Sequence, residues 1–584
     1  MKTSQIFLLS SLWNLISKKR KKQFILLFLV SVASSFAELV SIATVIPFLI
    51  FFSAPEKLTQ NKQVVYLIDF FPFINPSNIL FFITAFFCFS IFVSFLIRIF
   101  FLWLSTKLAF ATGAELSMEM YRKTLYQPYL KHISQNSSEI IDTISSKANA
   151  IIYNAINPTI SIATSLFLLI TISATLFIIN PIITIVIFLV FSSVYFLITK
   201  LTHDRLSMNS KKISYNSTQS IKALQEGLGG IRDILIDRSQ EVFCNLYKSS
   251  DSALRKAQAS NQFIILSPRY FIEAIGMILI ILIAFFLNRL QGPTEAFVTI
   301  GVFAIAAQRI LPALQQIYSS WSTLKGSQSS LYDAINLLNQ SFTTNDPLKK
   351  NTIKFKNQIE IKNAFFRYNN KTPWIIKDVN LKIQKGTVLG FIGKTGSGKS
   401  TLLDIFMGLL PLTKGEIKVD GKLLTLKNFY VWQKYFAHVP QMIYLTDSSI
   451  AENIAFGIPS ENIDMSKVIR AAKLAHISDT INSWENKYDT VVGERGIKLS
   501  GGQRQRIGIA RALYKDAEVI IFDEATSSLD DKTESLVMDS INKLSEKITI
   551  IIVAHRLSTL KKCKTIFEVK NGRIFEATNF LKRY

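Results

Sequence analysis

The sequence has 584 residues, 49% of them hydrophobic, with 66 Lys and Arg against 41 Asp and Glu and a formal charge of +25. That length is too great for one domain, and a positive mean hydropathy beside so many cations excludes an ordinary soluble chain unless apolar and charged residues are segregated, as they are here. Cys88, Cys244 and Cys563 are too few and too scattered for a disulfide framework or a metal cluster. No basic patch is interleaved with aromatics in a soluble stretch, which argues against a nucleic-acid partner.

In chain order, Ile6, Leu9, Leu12, Trp13 and Ile16 recur at helical spacing, so residues 4–17 read as an amphipathic helix lying on a membrane surface. A signal peptide is disfavoured, because the apolar stretch is broken by Ser10 and Ser11 and the cations follow it. Those cations, Lys18-Lys19-Arg20-Lys21-Lys22, suit an anionic bilayer surface, worth about 1 kcal/mol each. A general bias toward lysine accounts for the excess charge equally well.

Six runs are apolar and long enough to span a bilayer: 24–52, 79–104, 160–179, 182–198, 271–287 and 296–318. Asn180-Pro181 makes a tight turn between the third and fourth. The long, charged connections after the second and fourth runs read as helical extensions into the cytoplasm. Their cations, with the N-terminal cluster, put the N-terminus and the C-terminal half on the cytoplasmic side. Segment 54–77 is then external, with its 64–71 run either a small helix or a hydrophobic loop plug. Glu38, Arg98, Glu273 and Arg309 fall inside spans, with Arg269 at the edge of the fifth. Charges in hydrocarbon pair or face a cavity. They form either structural pairs, Glu38 with an arginine and Glu273 with Arg269 or Arg309, or a cationic wall of Arg98, Arg269 and Arg309 that meets an anionic head group.

From about residue 351 short strands alternate with helices. Gly393-Lys394-Thr395-Gly396-Ser397-Gly398-Lys399-Ser400 fits G-x-x-x-x-G-K-S/T, follows the apolar run 388–392 and opens a helix. In that context the glycines let backbone N–H groups converge on phosphates, Lys399 reaches the β and γ phosphates, and Ser400 ligates Mg²⁺. Val519-Ile520-Ile521-Phe522-Asp523-Glu524 is a buried parallel strand ending in two acids. Asp523 suits the metal and Glu524 the general base that polarises the attacking water.

Leu499-Ser500-Gly501-Gly502-Gln503 resembles the signature of ATP-binding cassette proteins. The remaining motifs of that family follow in order. Tyr368 resembles the aromatic that stacks on adenine, and Gln441 the metal-linked glutamine that joins the site to the membrane half. Thr490 to Gly496 resembles an exporter-type motif. Ser527-Ser528-Leu529-Asp530 resembles the segment facing the opposite subunit, with Ser528 where Ala is usual. His555 resembles the histidine at the γ-phosphate. The resemblance implies an α-helical six-span transmembrane domain followed by an α/β phosphate-loop ATPase, with domains at 1–22 (surface helix), 23–325 (spans), 326–350 (linker) and 351–584 (nucleotide binding). It implies ATP and Mg²⁺. Each ATP would lie between one subunit's Tyr368, Gly393 to Ser400 and Thr401 and the other's Ser500, Gly501, Gly502, Gln503 and Asp530, so that two chains must associate, a second copy of this one being the simplest case. Helices near 129–140 and 227–235 would carry the coupling.

The overall pattern is most similar to flippases of lipid-linked oligosaccharides in the bacterial inner membrane. The motifs are Phe36-Ala37-Glu38 with Pro47, Arg98, Pro268-Arg269 with Glu273 to Gly276, and Arg309-Ile310-Leu311-Pro312. An anionic lipid-linked cargo fits the arginines. An exporter of hydrophobic drugs, lipids or peptides is the alternative, and the lack of a peptidase-like stretch before the first span disfavours a leader-cleaving exporter. A gated channel is disfavoured by Glu524 and His555, and a soluble ATPase by the spans.

Overall fold

The computed structural model describes residues 4–44, 48, 79–291, 293–340, 353–525, 529–542, 548–554, 560 and 563–577. His555, Ser527, Ser528, Pro47 and segments 54–77 and 341–350 lie outside them. The chain divides into two compact units: Met1–Gln127 with Gln135–Phe342, and Pro128–Ser134 with Thr343–Tyr584.

The first unit is helical. Helix α1 (Gln5–Leu15) buries Leu8 and Leu12 and leaves Ile6, Phe7 and Trp13 exposed. Among the described residues six further helical stretches, one of them made of two consecutive helices, are long and apolar enough to span a membrane. They are α2 (Lys18–Ala43), α3 (Ile79–Leu125), α4 (Asn157–Ile179), α5 (Pro181–Gly229), α6–α7 (Gln240–Leu266 and Pro268–Gln291) and α8 (Pro293–Gly326). The turn between α4 and α5 follows from its two residues. Asn180 adopts extended backbone and its Oδ1 accepts the N–H of Ile183 at 3.2 Å, while Pro181 supplies the first helical position, where no donor is needed. The expected extensions are present: α3 and α5 continue well past their apolar runs as unbroken helix. Where a linker was expected, α9 (Gln328–Asn339) is a helix that buries Leu331, Ala334, Ile335 and Leu338 on one face.

A polar knot ties α5 and α9 to the stretch before α4, which passes through two π-helical turns, Thr143–Lys147 and Ile152–Ile156. Lys147 and Asp142 are both buried. The Lys147 Nζ lies 2.7 Å from Asp333 Oδ2 and 3.4 Å from Asp142 Oδ2. Ser217 and Thr218 each donate to Asp142 at 2.7 Å, and Ser214 donates to Asp333 at 2.6 Å. Removing one partner strands a buried charge. Lys147→Met is therefore expected to cost about 3–5 kcal/mol, read as a lowered melting midpoint, and adding Asp142→Asn should recover part of it. A midpoint unchanged in the single variant would show that the knot contributes nothing.

Among the described residues the second unit holds two sheets. One has four strands, in the order β2 (Ile376–Gln384), β1 (Gln358–Phe366), β4 (Lys414–Val419) and β5 (Lys422–Leu423). The other has six, in the order β10 (Arg573–Glu576), β9 (Thr565–Lys570), β3 (Val388–Ile392), β8 (Thr549–Val553), β7 (Val519–Asp523) and β6 (Phe436–Val439). In the larger sheet β3 and β7 flank β8, all parallel. Both β3 and β8 are buried along their whole length, as a sheet covered on two faces requires. Parallel strands put all their carboxyl ends on one edge, where ligands bind in such sheets. The glycine-rich loop Gly393–Gly398 leaves β3 there, and Asp523 ends β7 there, followed by Glu524.

Candidate functional site

The loop after β3 is shaped by its glycines. Gly393 has φ 150°, and a Cβ there would meet the Val569 carbonyl oxygen at 2.3 Å and Ser397 Oγ at 2.9 Å. Gly398 has φ 106° and caps helix α10 (Lys399–Phe406). Lys399 is buried, and its Nζ donates to the carbonyls of Gly393 at 2.7 Å and Lys394 at 3.2 Å. The ammonium thus lies in the bowl of the loop. Ser397 Oγ is buried and meets no hydrogen-bond partner among the described residues. A donor left over in a loop of backbone N–H groups fits a phosphate oxygen.

The β7 acids lie beside it. Asp523 ends β7 close to the Ser400 hydroxyl. Burial, then Glu524, pushes its carboxyl above the usual range, and Lys399 and Ser400 oppose the shift. Glu524 takes φ 51°, left-handed backbone that is uncommon outside glycine, with its N–H fixed to the Val553 carbonyl at 2.9 Å. Gln441 Nε2 donates to Glu524 Oε2 at 2.8 Å. Ser400, Asp523 and the Gln441 amide oxygen are hard oxygen donors of the kind Mg²⁺ prefers, so these residues fit that ion. Tyr368 donates to or accepts from Thr401 Oγ1 at 3.2 Å and stands edge-on to Phe366. Asp404, one helical turn beyond Ser400, belongs to no motif read from the sequence, and its carboxyl is pushed up to about 6 by burial and by Asp523. Tyr129, in the stretch expected to carry the coupling, reaches this neighbourhood: its phenol is raised by burial, then by Asp404 and Tyr368.

In the first unit, a cavity of about 740 Å³ is lined by α2, α3, α4 and α8. Glu38, 3% exposed, sits in its wall, and one of its oxygens, Oε1, meets Arg98 Nη1 at 3.3 Å and Arg309 Nε at 3.3 Å. Both arginines line the cavity and are about half-buried, with side chains 50% and 40% exposed. Ser31, Ser34, Ser35, Ser41 and Ser94 line it as well. Pro312, also in the wall, has no N–H and so frees the Gln308 carbonyl from the helix ladder. Both structural pairs expected from the sequence are present: Glu38 pairs with arginines, Arg98 and Arg309, and Glu273 pairs with Arg269. The expected wall of three arginines is reduced to two. Arg269 is absent from the cavity lining and forms an exposed 2.6 Å pair with Glu273 one turn along α7.

Residues 376–527 match the family model described as ABC transporter. The chain carries an ABC transporter domain. Its signature, Ser500 to Gln503, starts helix α11 (Gly501–Tyr514) through a reciprocal cap: Gln503 N donates to Ser500 Oγ at 3.2 Å and Ser500 N donates to Gln503 Oε1 at 2.8 Å. The cap holds the Gly501-Gly502 turn open at a helix N-terminus, which favours anions. Asp530 accepts the Thr533 N–H at 3.0 Å, which holds its carboxyl below the usual range. The whole chain shares its fold with a bacterial Atm1-family ABC exporter solved with ATP bound, at a TM-score of 0.79 and 20% identity, over 97% of this chain and 96% of that one.

Among curated relatives, the leukotoxin export ATP-binding protein of Aggregatibacter actinomycetemcomitans is 39% identical over 274 residues, 47% of this chain and 38% of its own length. An ATP-dependent lipid A-core flippase of Pectobacterium atrosepticum is 29% identical over 399 residues, 68% of each chain. That of Saccharophagus degradans is 40% identical over 224 residues, 38% of each. The matched stretch is thus well under half the length of two of these three relatives.

Proposed function

We propose that the chain is a half-transporter that works as a homodimer in the bacterial inner membrane. With ATP and Mg²⁺ it moves an anionic amphiphile, a lipid-linked oligosaccharide or similar glycolipid, from the inner to the outer leaflet. The observation that carries the cargo reading is the Arg98–Glu38–Arg309 cluster in a hydroxyl-lined cavity: two cations share one carboxylate, which leaves a net positive wall. The Pectobacterium match supports it, because 399 aligned residues exceed the nucleotide-binding unit alone. The leukotoxin relative favours peptide export as a second reading, though an arginine-walled cavity suits an anionic head group better than an apolar chain.

In this reading Lys399 and the loop N–H groups grip the phosphates, while Mg²⁺, when bound, draws off their charge. Glu524, oriented by Gln441, takes the proton of the attacking water. The signature helix of the partner subunit closes over the γ-phosphate. The inclusion of Pro128–Ser134 in the second unit, with Leu130 packed on that unit's core, supports a coupling role for this part of the loop after α3.

Two experiments test the proposal. A Lys399→Ala chain and a Ser500→Arg chain should each be inactive alone, and tagged heterodimers should recover part of the ATPase rate through one intact composite site. Mixtures as dead as either parent would count against the shared site. For the cargo, proteoliposomes should translocate a short-chain diphosphate-linked glycolipid only with Mg-ATP. Pumping of a neutral apolar dye with no movement of the glycolipid would shift the assignment to the drug or peptide class.

A further inference from the structure

A second pocket of about 330 Å³ lies between α1, α2, α3 and the start of α4, within the size range of small-ligand sites, about 300–1,000 Å³. Its walls are hydrocarbon and aromatic, among them Leu12, Trp13, Phe24, Phe28, Ile160 and Ala163. Three hydroxyls line it, and each donates to its own helix: Ser31 to the Phe28 carbonyl at 2.7 Å, Thr159 to that of Ala155 at 2.7 Å, and Thr164 to that of Ser161 at 3.1 Å. Each of these hydroxyl protons is already taken up. The pocket therefore suits a hydrocarbon chain and disfavours a polar head.

The adjoining corner between α1 and α2 has the opposite character. Trp13, 43% exposed, carries the Lys21 ammonium 5.9 Å from its ring centroid, and the Phe24 ring stands 6.0 Å away. Lys21 belongs to the run Lys18-Lys19-Arg20-Lys21-Lys22 at the corner between α1 and α2. Arg20 is taken by Glu115 at 2.7 Å. Lys18, Lys19 and Lys22 are exposed and form no ion pair with a described carboxylate. The first turn of α2 holds no acid to offset these charges, at a helix end that itself favours anions.

A hydrocarbon slot beside a cationic helix corner matches one class of molecule. We propose that this pocket binds an anionic phospholipid of the adjoining leaflet, with one acyl chain between α1 and the first three spans and its phosphate at Lys18, Lys19, Lys21 and Lys22. The bound chain joins α1 to α2 and α4 and ends at Ser31, Phe101 and Thr164, which also line the arginine cavity. The lipid is then part of that cavity's wall without being the cargo. This inference does not depend on the cargo or on ATP turnover.

The test uses the full-length protein in detergent with phosphatidylglycerol or phosphatidylcholine of identical chains. Phosphatidylglycerol should bind saturably and raise the melting midpoint, and phosphatidylcholine should not. K18Q/K19Q/K22Q should weaken binding about 100-fold, given about 1 kcal/mol per cation. Ala163→Trp, which fills the slot and keeps the lysines, should abolish it. A measurement independent of slot-filling variants uses acyl-brominated lipids, which quench indole fluorescence on contact. Brominated phosphatidylglycerol should quench more than brominated phosphatidylcholine, and Trp13→Phe should remove the difference. Equal binding of the two lipids would overturn the proposal. So would phosphatidylglycerol binding that survives Ala163→Trp in folded protein, or differential quenching that persists in Trp13→Phe.

Discussion

Glu524→Gln is expected to lower ATP turnover by about 10²–10⁴-fold, the usual worth of a positioned general base, while nucleotide stays bound. The geometry says why the two effects separate. The phosphate cradle is built from β3, its loop and α10, with Lys399 anchored to the loop's own carbonyls. None of these contacts involves the Glu524 side chain. A glutamine there keeps an oxygen that can accept the Gln441 Nε2 proton, as Glu524 Oε2 does at 2.8 Å, so the constellation keeps its shape. The backbone at φ 51° is unchanged in either residue, since the side chains are isosteric. What is lost is the capacity to take a proton from water. The measurement is steady-state ATPase together with nucleotide retained after gel filtration. Turnover near the wild-type rate would remove Glu524 from the base role and direct attention to Asp523 or His555.

The loop after β3 and the acids of β7 were legible in the sequence because each motif depends on neighbours in the chain: a strand, a turn that only glycine fits, a helix start. The spans were legible from length and apolar content, and the Asn180-Pro181 turn from two residues with fixed preferences. What escaped depends on which helix faces which. Glu38 meets both Arg98 and Arg309 because α2, α3 and α8 converge, and no periodicity within one span reports the partner of a charge on another. The Lys147 knot joins residues as distant as Asp142 and Asp333 in the same way. Helix α9 carried its own signal in Leu331, Ala334, Ile335 and Leu338, but a short run between a span and a new domain reads equally as linker. The π-helical turns before α4 have no local sequence mark.

Arg98→Gln and Arg309→Gln are each expected to raise the KM for transport of an anionic lipid substrate by about 10–150-fold, with basal ATPase unchanged. The magnitude follows from one charge-assisted hydrogen bond, about 1.5–3 kcal/mol, at 1.4 kcal/mol per factor of ten. Stability separates this from a purely structural role. Either single variant leaves the other arginine on Glu38, so the buried carboxylate keeps a partner and the melting midpoint should hold. The double variant strands Glu38, at about 3–5 kcal/mol for a buried charge without its partner. Adding Glu38→Gln to the double variant should restore the midpoint and leave transport impaired, because the lost function is contact with the cargo. Arg269→Gln is the control. Its pair with Glu273 is exposed and lies on one helix, and the residue does not line the cavity, so both transport and midpoint should stay near wild type. The measurement is substrate movement into proteoliposomes beside thermal unfolding for all five proteins. If transport in the triple variant recovers along with its stability, the two arginines serve only to neutralise Glu38, and the cargo need carry no negative charge.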